Sequence, residues 1–490
     1  MVLAAHPGMA GNLDGQGRTM FDAGIRQFRM ALAMVLGRPI NVRSAEKLVD
    51  DALATLAEFG SPGEDVEQLL RGAAADPQMR TDLTNKALRR TAKRLVAKSP
   101  FYADHFAAAR VDPAALTVEN ITAVPVTTKA DLVERARDFL CSEPFLASRT
   151  TGTTGRPTEV WYSRYEERLW PALVALSQVL RGTVRTTDLV QFNISSRATG
   201  TAYAEMQVAR LSGAAIRMVG LVPPAETLDL MTGTGPSAPT LMVTYPSYLG
   251  QLTRLARERG LGPADFRLRR INVGSEVLSP ALAEASEKTF GAPVHDGYGM
   301  TEVTPVAGAI CRQRHLHIDA GIGLVEVCDL DTGAPAAPGA LGTIVATPFF
   351  PYRECMPLFR YDTRDLVRQL PDAPLTCEMA NVPATSHILG KADHVLRTQD
   401  GPVTPRQVIE VLDALPGACW PVRHRADVVD GRLHVEVAAS SVPETSDIAR
   451  HFAEAGLDVT VDVVPGEGRE LRRYRCDLVE NSFASAGRAA

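Results

Sequence analysis

Eleven consecutive residues, Ser148-Arg149-Thr150-Thr151-Gly152-Thr153-Thr154-Gly155-Arg156-Pro157-Thr158, gather the groups that a polyphosphate needs. Gly152 and Gly155 let a backbone approach a bulky anion through dihedrals closed to other residues. The hydroxyls of Thr150, Thr151, Thr153 and Thr154 donate hydrogen bonds, and Arg156 adds a planar fork suited to phosphate oxygens. The run Val160-Trp161-Tyr162 that follows reads as a strand. The same composition also suits a solvated turn. The stretch is not the G-x-x-x-x-G-K-[ST] phosphate loop, because no Lys-Ser or Lys-Thr follows Gly155.

Four other stretches carry groups of the right kind. In His295-Asp296-Gly297-Tyr298-Gly299-Met300-Thr301-Glu302 an aromatic ring sits between glycines, with a carboxylate four residues on. Tyr298 can stack on a base and Glu302 can ligate Mg²⁺, a hard cation that takes oxygen ligands; an ordinary strand-end turn fits as well. Arg360-Tyr361-Asp362-Thr363-Arg364-Asp365 sets two carboxylates beside two guanidinium groups, which suits a sugar diol and a phosphate or else a surface ion-pair cluster. Gly390-Lys391-Ala392-Asp393-His394 lies where the texture of the chain changes. Gly274-Ser275-Glu276 ends a β-like run, the place where ligands sit in open α/β sheets.

The elements that must position these groups are legible in outline. A chain of 490 residues is long enough for about three domains. Residues 1 to 18 are Gly-rich and read as unstructured. Phe21, Ile25, Phe28 and Leu32 follow at helical spacing, then Leu48, Ala52, Leu53 and Leu56 behind Ser44 as N-cap, then Leu83, Leu88 and Leu95. From 189 to 289 β-like and helical runs alternate, which predicts layered sheets with largely parallel strands. From Gly321 strands and turns dominate, and after Gly390 strands and two helices predict a separate α+β unit of about 100 residues. The expected fold class is therefore α/β, with a helical extension at 1–90, a large domain of mixed sheets at 91–391 and a small mobile α+β domain at 392–490.

A net charge of −5 offers no broad basic field, so nucleic acid is not an expected partner. Seven scattered cysteines argue against a disulfide framework and for a reducing compartment. With no basic-then-apolar leader and no bilayer-length apolar run, a cytoplasmic protein free of the membrane is expected, and monomer or homodimer is left open.

Taken in this order and spacing, the motifs resemble the adenylate-forming superfamily of acyl-CoA ligases, closest to the phenylacetate–CoA ligase branch. Ser99-Pro100-Phe101-Tyr102, Pro125-Val126-Thr127-Thr128-Lys129, Tyr245-Pro246-Ser247-Tyr248 and Met356-Pro357-Leu358-Phe359-Arg360-Tyr361 add to the resemblance, which covers about residues 91 to 480. It implies ATP with Mg²⁺ as cofactors, a small carboxylic acid of aromatic type as substrate and CoA as acceptor. It implies that Thr150 to Thr158 hold the ATP phosphates, and that Gly274, Ser275, Glu276, Asp296, Gly297 and Tyr298 line the adenine site. Thr301 would touch the α-phosphate, Glu302 the Mg²⁺ and Asp365 the ribose, with Lys391 near it in place of a usual arginine. Asp393 would be the hinge, and the acid site would lie near Asn193 to Glu205, Met218 to Leu221 and Tyr245.

Two departures stand out. The family carries a lysine near the end of its small domain, but no lysine follows Lys391 here, and the matching region offers Arg469 and Arg472. Arginine is not a compact ammonium, so an amine acceptor, nitrite activation or a degenerate nucleotide binder are the alternatives. Relatives also carry structural zinc near Cys311-x₃-His315-x-His317 and a later Cys-x-Cys, which here is Cys377-Glu378-Met379. Cys311, His317 and Cys377 then leave a fourth ligand unnamed.

Overall fold

The computed structural model describes residues 13–60, 77–149, 158–195, 199–233, 235–319, 321–380, 382–443 and 447–465. The loop residues Thr150 to Pro157, together with Arg469 and Arg472, lie outside them.

The leader folds as α1 (Leu13–Leu36), α2 (Val42–Phe59) and α3 (Pro77–Lys98), followed by α4 (Pro100–Ala109) and α5 (Lys129–Glu134). Helix begins at Leu13, so residues 13 to 18 are ordered despite their glycines. The N-cap of α2 is Asn41, whose side chain accepts from Ser44 N at 3.0 Å; Ser44 is inside the first turn and does not cap it. These helices are built into the body. Leu88, Ala92 and Leu95 of α3 belong to the main core, and α3 runs across residue 90.

The hairpin β1 (Leu146–Arg149) and β2 (Glu159–Tyr162) flanks the described ends of the threonine loop. Then come α6 (Arg164–Leu180), β3 (Leu189–Phe192), α7 (Thr199–Leu211), β4 (Ala215–Met218), α8 (Pro224–Met231), β5 (Leu241–Thr244) and α9 (Pro246–Glu258). The run continues with β6 (Arg270–Gly274), α10 (Pro280–Phe290), β7 (Val294–Gly299), β8 (Ala307–Ile310) and β9 (His315–Ile318). A second sheet uses β10 (Gly323–Asp329), β11 (Leu341–Pro348) and β12 (Tyr361–Arg368), and β13 (Ala384–Ser386) returns to the first. The eight-stranded sheet has the order β13-β9-β8-β7-β6-β5-β3-β4, parallel from β7 to β4 and antiparallel beyond. This is the mixed α/β architecture expected.

Strand alternation sends successive side chains to opposite faces. On one face of β6, Ile271 and Val273 pack into a core with Tyr248 and Leu252 of α9 and Leu282 and Phe290 of α10. On the other, Arg270, Asn272 and Gly274 face a cleft beneath α6 and α7. α2 backs that roof, with Val49 and Ala52 packed against Ala175 and Val179 of α6. An Arg168–Glu46 ion pair at 2.6 Å and an Ile40 N–H donated to the Tyr165 hydroxyl at 3.0 Å reinforce it.

β14 (Gly390–Lys391) pairs with β12, and the hairpin β15 (Leu396–Thr398) and β16 (Gly401–Val403) follows, a pairing the sequence reading did not resolve. The last sheet joins β17 (His424–Val429), β18 (Arg432–Ala438) and β19 (Val459–Val464) over α11 (Pro405–Asp413) and α12 (Ile448–Glu454). The tight turn between β17 and β18 puts Asp430 and Gly431 both at positive φ, 50° and 77°. Val408, Leu412, Val435, Val437 and Phe452 form its own core. α11 is pinned to the large body: Arg406 donates to Leu278 O at 2.7 Å, and Ser279 donates to Asp413 at 2.6 Å. No helix of the described residues is long and apolar enough to cross a membrane.

Candidate functional site

β6 and β7 end side by side with Gly274 opposite Gly297. A Cβ at Gly274 would meet the Gly297 carbonyl oxygen at 2.9 Å, so only glycine fits this close approach. The next residue, Ser275, is held at φ 70°, which turns the chain out over the strand ends. Glu276 accepts from Ser247 N at 2.8 Å and so caps the first turn of α9.

Across this edge the predicted nucleotide residues converge. The Tyr298 hydroxyl donates to Asp365 Oδ2 at 2.9 Å, and Lys391 Nζ pairs with Asp365 Oδ1 at 2.8 Å. Register explains the second contact, because β12 and β14 place Asp365 opposite Lys391. Thr301 and Glu302 follow β7 in a short 3₁₀ turn, steadied by the Tyr162 hydroxyl donating to Thr301 O at 2.9 Å. Glu302 is 3 % exposed; burial raises its carboxyl, opposed by the ammonium groups of Lys391 and Lys129. Burial also pushes Asp296 up to about 7, against the pull of Arg406. Asp393 is exposed and pairs with Arg364 at 2.6 Å. Arg360, part of the same sequence cluster, is buried; it pairs with Glu326 at 3.0 Å and donates to the Thr127-bearing segment through Val124 O, a structural role.

The cleft encloses about 1490 Å³, more than the roughly 300–1,000 Å³ of an ordinary small-molecule site. It has room for a nucleotide and a second molecule. Trp170, Val174 and Gln178, one face of α6, form part of the roof with Ala204 and Glu205 of α7. Tyr245 lines the cleft and accepts from Ser195 N at 3.1 Å. Asn193 points the other way. Its amide is taken up by Gly220 O and Thr227 Oγ1, both at 3.0 Å, and it does not line the cleft. Strand parity is the reason, since neighbouring Ile194 is the one that faces in. Met218 lies on the edge strand, 48 % exposed and outside the cleft. Sequence reasoning gave no role to Arg270, Asn272 or His295, which also line the cleft.

Glu205 is half-buried, and burial alone raises its carboxyl to about 7. Between an unfolded value near 4.5 and about 7 the folded chain holds the extra proton, so stability falls as pH rises through that window. Glu205→Gln should therefore stabilise the protein at pH 8 by on the order of 1–3 kcal/mol, part of the cost being relieved by the open cleft. The gain should vanish below about pH 4.5, which thermal melts at the two pH values would check.

A second constellation lies at the β8–β9 end of the same sheet. One ligand atom from each of Cys311, His315, His317 and Cys377 lies within 4.8 Å of all the others. Cys377 Sγ is 3.3 Å from His317 Nε2, close to the edge of a tetrahedron about Zn²⁺ with bonds of about 2.0–2.3 Å. His317 Nδ1 bonds Val382 O at 3.0 Å, which directs Nε2 into the cluster. His315 Nδ1 is buried without a hydrogen-bond partner. The donor set and this orphaned nitrogen both fit zinc, and His315 completes the set that the sequence left at three.

The AMP-binding enzyme family matches residues 120–347. The phenylacetate-coenzyme A ligase of Thermus thermophilus is 28% identical over 399 residues, covering 78% of this chain and 86% of that protein. The enzyme of the same name from Escherichia coli is 27% identical over 414 residues, 78% of this chain and 90% of its own. In fold, a crystal structure of 2-hydroxyisobutyryl-CoA ligase in the postadenylation state superimposes with a TM-score of 0.69 at 21% identity, covering 86% of this chain and 94% of that one. Residues 120–347 thus match the AMP-binding enzyme family, and phenylacetate-coenzyme A ligases are distant homologues over most of the chain.

Proposed function

We propose that the protein joins ATP to an aromatic-type carboxylic acid, releasing pyrophosphate, and passes the acyl group from the acyl-AMP to the thiol of CoA. The observation that carries this reading is the meeting of Tyr298, Asp365, Lys391 and Glu302 at the sheet edge above a cleft with room for two ligands. Asp365 would accept the ribose hydroxyls, with Lys391 paired to its other carboxylate oxygen. Tyr298 would stack on adenine beside Gly274 and Gly297, whose missing side chains let the base lie flat on the strands. Thr301 would contact the α-phosphate, with Thr150 to Arg156 cradling the outer phosphates. Glu302 suits Mg²⁺ because it is a buried carboxylate with no ion-pair partner among the described residues. The ion, when bound, would supply charge neutralisation at the phosphates. Carboxylate attack on a crowded anionic phosphorus needs that neutralisation and close positioning.

Asp393, at the surface just after β14, suits the pivot of a small domain at 392–490 that turns between the two half-reactions. A structural zinc held by Cys311, His315, His317 and Cys377 would fix the β8–β9 turn and the distant Cys377 loop.

One observation favours a second acceptor chemistry: no lysine follows Lys391, so Arg469 or Arg472 would have to meet the α-phosphate. An amine in place of CoA, or nitrite activated in place of the carboxylic acid, is the alternative. Pyrophosphate release with a panel of acids, alone and with CoA, amines or nitrite, tests all of this. Release on an acid with a thioester formed only in the presence of CoA is the expected result. Release coupled to an amide product would move the acceptor, release on nitrite coupled to a diazo product would change the activated group, and ATP binding with no release on any acid or nitrite would leave a nucleotide binder.

A further inference from the structure

The acid side of the cleft has a polar far end. Arg270, Asn272 and Gly274 share a face of β6, and Asn272 pairs with His295 as Gly274 pairs with Gly297. Four residues of strand separate Gly274 from Arg270, about 13 Å at 3.3 Å per residue. The trough beneath α6 and α7 is thus longer than a single benzene ring with its carboxylate.

The charge at that end is unmatched. Arg270 Nε donates to Asn272 Oδ1 at 2.7 Å, which aims the guanidinium, and no carboxylate pairs with it among the described residues. Burial lowers Arg270 to about 10, and the one charge acting on it is another cation, Arg269. Arg269 spends its own charge on Asp188 on the opposite side of the strand. His295, lowered to about 4 by burial and then by Arg270, stays neutral and adds no positive charge beside Arg270 at neutral pH. A guanidinium in a half-closed cleft with free N–H groups and no partner is costly unless a ligand supplies the anion.

Resting on the adenylation reading above, we propose that this end is a seat for a second carboxylate. The substrate class is a dicarboxylic acid with an aromatic or other flat body, one carboxylate reacting near Thr301 and the other lying in the fork of Arg270 beside His295. A fork and a carboxylate match two hydrogen bonds to two oxygens, which a lone hydroxyl or methyl cannot do. Arg270 is therefore a specificity-determining residue and takes no part in the chemistry.

The test uses pairs of acids of equal length that end in carboxylate, carboxamide or methyl, assayed by pyrophosphate release without CoA. The wild-type chain should prefer the carboxylate-ended acid through KM. Arg270→Gln should cut the carboxylate-over-carboxamide ratio of kcat/KM by roughly 30- to 300-fold, the size expected for a charge-assisted pair. Arg270→Leu should turn the preference towards the methyl-ended acid. If Arg270→Gln fails to fold, Arg270→Lys, which keeps charge but loses the fork, should lower the ratio by a smaller factor. An unchanged ratio in a folded variant, or a wild-type preference for methyl ends, would overturn the seat while leaving adenylation standing. Silence of the wild-type chain towards every acid would overturn both.

Discussion

Glu302→Gln should lower pyrophosphate release by at least about 100-fold, equivalent to about 2.7 kcal/mol or more at the barrier. The residue follows β7 directly, is 3 % exposed, and carries a carboxyl that burial raises. A buried carboxylate with no ion-pair partner among the described residues gains when a cation arrives at the nucleotide edge. Glutamine keeps the shape and removes the charge. The loss should appear in kcat and in the response to Mg²⁺ concentration, while the melting temperature holds or rises because a desolvated charge is gone. Unchanged turnover would remove Glu302 from the metal site; a large fall in melting temperature with partial activity would make its role structural.

Cys377→Ser should remove one equivalent of bound zinc and lower the melting temperature by about 5–10 °C, the equivalent of a few kcal/mol in a chain of this size. Cys377 comes from a loop far along the chain from Cys311, His315 and His317, so the ion would close a long loop as well as fill four buried donor atoms. Metal analysis of the purified protein, with melts before and after a strong chelator, reads both quantities. A metal-free protein whose melting temperature ignores the chelator would refute the site.

Much of this was legible because it is local. Alternating runs gave β3 to β6 and their helices to within a few residues. Tyr298, Asp365 and Lys391 could be singled out by residue type, and their contact was then set by the register of β12 against β14. What stayed hidden depended on parity and pairing. Asn193 and Ile194 are neighbours, yet only one of them faces the cleft. His315 stands in Cys-x₃-His-x-His without an assigned role until β9 puts it on the same face as His317. Arg270 has no motif at all. Its significance comes from β6 lying beside β7 under a roof made by α6 and α7, none of which a linear reading can supply.

The N-terminal helices bear on selectivity too. α2 packs on the outer side of α6, whose inner side, through Trp170, Val174 and Gln178, forms part of the roof of the cleft. Substitutions at Glu46, Val49 or Ala52 touch no ligand, yet they shift the height of that ceiling through Arg168, Ala175 and Val179. Drift in a region remote from the reacting atoms can thus retune which molecules are admitted, and the leader becomes a dial on the substrate repertoire.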